Sequence, residues 1–400
     1  MRASLIPRPH LIERLNQGLR LDHKLTLISA PAGFGKTTLV SEWVGSIELD
    51  TAKESQINNQ CTWLSLDEGD NDPTRFLASV ITALKQVEGI EITLGDVALS
   101  MLRSPQPPPK EVVLTSLINE VADIPDRIVL VLDDYHSVES APVDDALTFL
   151  LEHLPPQMHL VVATRNDPNL QISRLRVGGQ LTELRAADLR FSASEATEFL
   201  NQVMGLDLSA DDISALETRT EGWIAGLQLA AISMQERDDT TAFIESFTGS
   251  HRLVLDYLVE EVLERQPVDI QDFLLITASL DRMNGPLCDA LTGKENGQEY
   301  LELLDDANLF IVRLDDKRCW YRYHHLFKDL LNSRFQQTQP DRIVMSQQKA
   351  SEWFEKTGIV NEAIEYALRA EDFERAIRLI EGVDEAMWMK GEIKKLGDWL

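Results

Sequence analysis

The chain has 400 residues, and its 38 Lys and Arg against 66 Asp and Glu leave a formal charge of -28. That length calls for roughly two to four domains, and that charge argues against these residues wrapping a nucleic-acid backbone, which needs a local excess of Lys and Arg. Cys61, Cys288 and Cys319 fit no disulfide or metal spacing; with no secretory h-region and no apolar run of about 18–20 residues, the chain is expected in the cytoplasm without a membrane partner.

The first apolar strand is LTLISA, residues 25–30, followed at once by a glycine-containing loop and a helix in TTLVSEWVGSI. A second strand, CTWLSL at 61–66, precedes a turn-rich stretch and an amphipathic helix starting near Pro73, with Asp72 as a cap. MLRSPQPPPKE, 101–111, reads as an exposed loop. Then come the strand RIVLVLDD at 127–134, a helix over 143–153, the strand MHLVVATR ending at Arg165, and a short edge strand in QLTELRA, 180–186. Strands alternating with helices call for a mainly parallel sheet covered on both faces. The arginines of SRLRVGG, 173–179, read as a solvated helix face rather than a nucleic-acid patch.

Beyond Phe191 the pattern turns helical. SASEATEFL opens with a capping box from Ser192 or Ser194, and 216–234 reads as one apolar-striped helix. Residues 253–263 and 270–279 read as further helices. Two short strands, 310–314 and 319–323, turn through DDK and lead into a helix, giving the order of a winged-helix-like unit. Residues 351–382 read as antiparallel helical hairpins broken near Gly358 and at 370–372, the texture of a helical repeat array. A further pattern of this kind, KKLGDWL, runs to Leu400, so a fragment of a longer protein is expected.

The chemistry concentrates in APAGFGKTT, residues 30–38. A phosphate loop reads Gly, four residues, Gly-Lys and Ser or Thr; here Ala30 stands first, and Gly35, Lys36 and Thr37 match. Gly33 and Gly35 permit backbone conformations in which successive N–H groups point at phosphate oxygens, and the helix starting near Lys36 adds its positive end. Pro31, Ala32, Gly33, Phe34, Gly35, Lys36, Thr37 and Thr38 are therefore candidate contacts to ATP or ADP. Lys36 would reach the terminal phosphates and Thr37 would supply a hydroxyl to Mg²⁺. Asp133 and Asp134 end an apolar strand, which puts carboxylates beside those phosphates. Asp133 would hold Mg²⁺ directly or through water, and Asp134 would polarise an attacking water. Arg165, at the tip of another strand, would sense the terminal phosphate and stabilise charge in transfer; a surface salt-bridge partner is the alternative.

The strings PRPHLIERL, SAPAGFGKTTL, TWLSLDEGDNDPTRFLASVITAL, LVLDDYH, RLRVGGQLTEL, TEGWIAGLQLAA and YRYHHLFKDLL span nearly the whole chain. Together they resemble the N-terminal part of MalT-like regulators, large LuxR-family proteins of the STAND class of signal-transduction ATPases. The resemblance implies an α/β P-loop NTPase with a STAND/NB-ARC-like parallel sheet, residues 1–190, followed by a helical domain (191–268), a winged-helix domain (269–335) and the start of a TPR-like helical array (336–400). It places Arg8 and Leu11 beside the adenine. It matches Lys36, Thr37, Asp133, Asp134 and Arg165 to phosphate-binding, magnesium, catalytic and sensing positions. It also matches His324 to a winged-helix histidine that contacts the phosphates of bound ADP; from the residues alone, a core histidine held by a backbone carbonyl is the alternative.

The function implied is an ATP/ADP switch. ADP holds a closed monomer, ATP favours self-association, and slow hydrolysis resets the protein. An unknown effector would act on the distal helical repeats, and promoter DNA would be bound only by a C-terminal module outside these residues. The alternatives are a nucleotide-dependent protein-interaction scaffold without DNA-binding output, and a plain metabolic ATPase or kinase.

Overall fold

The computed structural model describes residues 5–50, 59–87, 93–235, 240–315, 317–382 and 399. Two compact units divide the chain: Met1–Phe199 with Trp223–Ala225, and Leu200–Gly222 with Gly226–Leu400.

The first unit is built on a five-stranded sheet of β1 (Leu25–Ser29), β2 (Asn59–Ser65), β3 (Arg127–Asp133), β4 (Met158–Thr164) and β5 (Leu181–Arg185), in the order β2-β3-β4-β1-β5. Every pairing is parallel. The near-continuous apolar runs of β1, β3 and β4 follow from this, because helices cover both faces and those strands are buried along almost their whole length. The edge strand β5 alternates buried and half-buried residues instead. Asp72 caps the helix Pro73–Leu84 by accepting from the Arg75 N–H, and Ser192 caps Ala193–Thr197 in a reciprocal box with Glu195.

Two expectations need correction here and in the second unit. All of 101–111 was expected as loop, but its ends are helical: Asp96–Leu102 and Lys110–Ala122 close around a shorter connection. Residues 216–234 are not one helix. Ala210–Thr220 ends at Glu221, which adopts φ 50°, and Gly222 follows at φ 70°, before a new helix Ile224–Met234. Two successive left-handed residues stop a helix, and glycine makes the second of them cheap.

In the second unit, β6 (Ile311–Arg313) and β7 (Tyr321–Tyr323) form an antiparallel hairpin that leads into the helix His325–Thr338. Among the described residues, the helices Pro340–Lys356, Val360–Arg369 and Phe373–Glu381 follow, with breaks at the expected places. Phe354 and Tyr366 stack across the first pair at 5.4 Å, and Glu355 receives Arg375 and Arg378 from the third helix. The KKLGDWL segment lies outside the described residues except for Trp399. No helix among the described residues is long and apolar enough to cross a membrane.

Candidate phosphate-binding site

The strand order brings the site together. β4 lies between β1 and β3, so the loop after β1, the carboxylates ending β3 and Arg165 just beyond β4 meet at the carboxyl edge of the sheet. In open α/β sheets that edge is where ligands bind.

The loop has the backbone its glycines allow, with φ 76° at Gly33 and 75° at Gly35, and the helix Lys36–Asp50 starts directly after it. Pro31, Ala32 and Phe34 are buried under the loop, whereas Thr37 and Thr38 are exposed. The Lys36 ammonium turns back onto the loop and donates to the carbonyls of Ala30 at 2.7 Å and Pro31 at 3.0 Å. Burial, and next the charge of Arg165, bring the Lys36 pKa down to about 8 against the opposing pull of Asp134 and Asp133. Arg165 therefore acts electrically on the loop lysine.

Thr37 Oγ1 donates to Asp133 Oδ1 at 3.3 Å, across a sequence separation of 96 residues. Asp133 is buried, and burial followed by the Asp134 charge raises its pKa. Asp134 is exposed, takes a left-handed φ of 55°, and donates its N–H to Asp133 Oδ1 at 3.0 Å. The two carboxylates are thus distinguished: one buried on the loop threonine, the other open to solvent.

Sequence reasoning missed two supports. Asn71, in the loop after β2, donates to the Ser137 carbonyl at 3.2 Å and accepts from the Glu139 N–H at 2.7 Å, which fixes the turn after Asp134. Trp223, fully buried, donates its indole N–H to the Ala32 carbonyl at 3.0 Å, and the Ala225 N–H donates to Gly33 O at 3.0 Å. The Glu-Gly pair before Trp223 was the available sign of a break there.

The remaining expected site residues are described by their own partners. Arg8 is buried; its guanidinium donates to Glu195 at 2.9 Å and to the carbonyls of Leu189 and Arg190, each at 2.8 Å, and lies over the Phe191 ring. Leu11 is a core residue. His324 belongs to the second unit, where its Nε2 sits 2.8 Å from the Thr220 carbonyl. Next to it, Glu221 pairs bidentately with Arg322 at 2.8 and 2.9 Å and accepts from the His325 N–H at 3.0 Å.

A cavity of about 250 Å³ opens at the opposite edge of the sheet, beside Lys24, Arg127 and His159. Its polar groups are already engaged: Lys24 on the carbonyls of Leu151 and Glu152, Arg127 on Leu19 O and Asp22, His159 on Thr26 and His23 O. It offers no chemistry to compare with the loop.

The MalT winged helix domain family matches residues 259–343. The HTH-type transcriptional regulator MalT of Klebsiella pneumoniae is 36% identical over 355 residues, 88% of this chain and 38% of that protein. The chain is MalT-like. The serine/threonine-protein kinase PknK of Mycobacterium tuberculosis is also similar, 35% identical over 95% of this MalT-like chain and 33% of its own length. The chain therefore spans about a third of the length of these curated relatives. Among solved structures, the Walker-type ATPase paby2304 of Pyrococcus abyssi aligns with a TM-score of 0.53 over 82% of this chain and 97% of that one, at 14% identity. That likeness speaks to the fold, which is a P-loop NTPase fold.

Proposed function

We propose that this MalT-like chain binds ATP or ADP with Mg²⁺ at residues 30–38, hydrolyses ATP slowly, and forms the nucleotide switch of a transcription regulator. The observation carrying this reading is the Thr37–Asp133 contact at 3.3 Å, which joins the phosphate loop to the acidic end of β3. An exposed hydroxyl beside a buried carboxylate is a hard, all-oxygen donor pair, and it fits a cation that completes its shell with phosphate oxygens and water. When bound, Mg²⁺ neutralises charge on the phosphates and polarises the group being transferred.

The chain's own residues do the rest. Lys36 exchanges the carbonyls of Ala30 and Pro31 for phosphate oxygens. Arg165 adds positive charge where negative charge develops. Asp134, exposed and outside the Thr37 contact, orients the attacking water.

The finer reading is supported by the family resemblance. ADP keeps a closed monomer with His324 as the winged-helix contact to its phosphates; ATP favours self-association; an effector and promoter DNA act through parts of the protein beyond these residues. The charge of -28 agrees with DNA binding residing elsewhere.

Nucleotide affinity and turnover in the native protein, Lys36→Ala and Asp134→Ala test the assignment. Lys36→Ala should lose nucleotide binding. Asp134→Ala should bind as the native protein does and lose hydrolysis. Unchanged affinity in Lys36→Ala places the phosphate site elsewhere, and unchanged turnover in Asp134→Ala removes that residue from the chemistry.

A further inference from the structure

The segment Trp223–Ala225 belongs to the first unit although the residues on both sides of it belong to the second. Its contacts with the phosphate loop are specific. Trp223 Nε1 donates to Ala32 O at 3.0 Å and Ala225 N donates to Gly33 O at 3.0 Å. Ile224, between them, lies against Gly35, where even an added Cβ would stand 3.0 Å from Ile224 Cδ1. The loop is therefore contacted at Ala32, Gly33 and Gly35 by this one three-residue segment.

The grip has a directional consequence. In a planar trans peptide the C=O of one residue and the N–H of the next point in opposite directions. A carbonyl of Ala32 bonded to the indole turns the Gly33 N–H away from Trp223. A carbonyl of Gly33 bonded to Ala225 turns the Phe34 N–H away in the same manner. Phosphate loops work by presenting successive N–H groups to one anion, and that requires the intervening carbonyls to be satisfied on the outside. Trp223 and Ala225 supply those outside donors.

The donors themselves suit the task. A buried indole N–H needs an acceptor, and Ala225 is the second residue of the helix Ile224–Met234, whose first-turn N–H groups have no partner within the helix. Each bond satisfies both ends at once.

We propose that Trp223–Ala225 is a positioning element for nucleotide phosphate: it holds the Ala32 and Gly33 carbonyls outward so that the N–H groups of Gly33 and Phe34 face the ligand. This rests on the reading of residues 30–38 as a phosphate loop. It deepens that reading by adding a second, distant segment on which affinity for the terminal phosphates depends.

Two substitutions each delete one donor. Trp223→Phe keeps an aromatic ring and loses the N–H. Ala225→Pro removes the other N–H in the first helical turn, where proline is tolerated. ATP, ADP and adenosine binding are measured by competition in the native protein, in Lys36→Ala and in both variants, alongside unfolding midpoints. Each variant should bind ATP and ADP about tenfold more weakly, the size of one net hydrogen bond, with adenosine competition unchanged. If native protein and Lys36→Ala bind alike, the phosphate-loop reading fails. If Lys36→Ala loses binding while both variants bind as native, the loop stands and the positioning role falls. Equal losses for adenosine and ADP also overturn it, because a merely loosened fold would not single out phosphate. Should Trp223→Phe fail to fold, Ala225→Pro decides alone.

Discussion

Glu221→Gln isolates the ion pair that ends the helix Ala210–Thr220. Its carboxylate is 7% exposed and bonded twice by Arg322, whose side chain is 25% exposed. Burial alone would raise the Glu221 pKa, but the Arg322 hydrogen bonds, the neighbouring His324 and the His325 N–H together bring it down to about 2, from a usual 4.5. A displacement of that size corresponds to roughly 3 kcal/mol, reduced to about 2 kcal/mol by solvent on the Arg322 side. The sign follows from the depressed folded value. The stabilisation is fully present above pH 4.5 and is lost as pH falls toward 2, so that by pH 3 roughly half or less remains. Glutamine keeps the shape and removes the charge. Hydrogen exchange of peptides covering Glu221 and Tyr321 through Phe327, corrected for intrinsic rates, reads the local opening free energy without assuming that the two units unfold together. Native and variant should differ by about 2 kcal/mol at pH 7, with the gap closing steadily below pH 4.5. Equal protection at pH 7, or a gap that stays constant down to pH 3, refutes the assignment of this pair as the stabilising charge.

Lys36 gives nucleotide binding a pH dependence of its own. Its free-state pKa is about 8, and a bound anion favours the charged amine, so affinity should fall by about tenfold between pH 7 and pH 9; a flat profile by calorimetry contradicts it. Arg8→Met should destabilise the first unit by about 2 kcal/mol, because it leaves half-buried Glu195 without its counter-charge. Proteolytic susceptibility reads that loss, and adding Glu195→Gln should restore part of it.

The phosphate loop is legible in the sequence because its parts are contiguous: an apolar strand, left-handed-tolerant Gly33 and Gly35, and a helix beginning at Lys36. Asp133 is legible because it ends a fully apolar strand. Their meeting is a property of strand order, which depends on how crossovers return to the sheet and is invisible in local pattern. Arg8 illustrates the same limit, since its partners near Glu195 lie almost two hundred positions away. The break at Glu221 escaped for a different reason. Buried Ile213, Leu216, Thr220, Trp223, Leu227, Ala230 and Met234 keep helical spacing straight through it. Periodicity therefore argued for one helix, and only Gly222 argued against. His324 stood open between two readings, and the Thr220 carbonyl at 2.8 Å gives its Nε2 the backbone partner that one of them required.

That break is where the chain's two units are covalently closest in purpose. Residues 220 and 221 are spent on the winged-helix side: the Thr220 carbonyl on His324, the Glu221 carboxylate on Arg322 and His325. Residues 223 and 225 are spent on the phosphate loop: the Trp223 indole on Ala32, the Ala225 N–H on Gly33. Gly222, at φ 70°, is the single residue between them. A continuous helix through 216–234 could not serve both, because its backbone donors and acceptors would be consumed internally. Ending one helix and starting another frees the Thr220 carbonyl at one terminus and the Ala225 N–H at the next. The Thr220 carbonyl and the Ala225 N–H, two of the backbone groups that helix termini leave unpaired, are here ones that bind, so the local cost of breaking the helix is offset by contacts in both units.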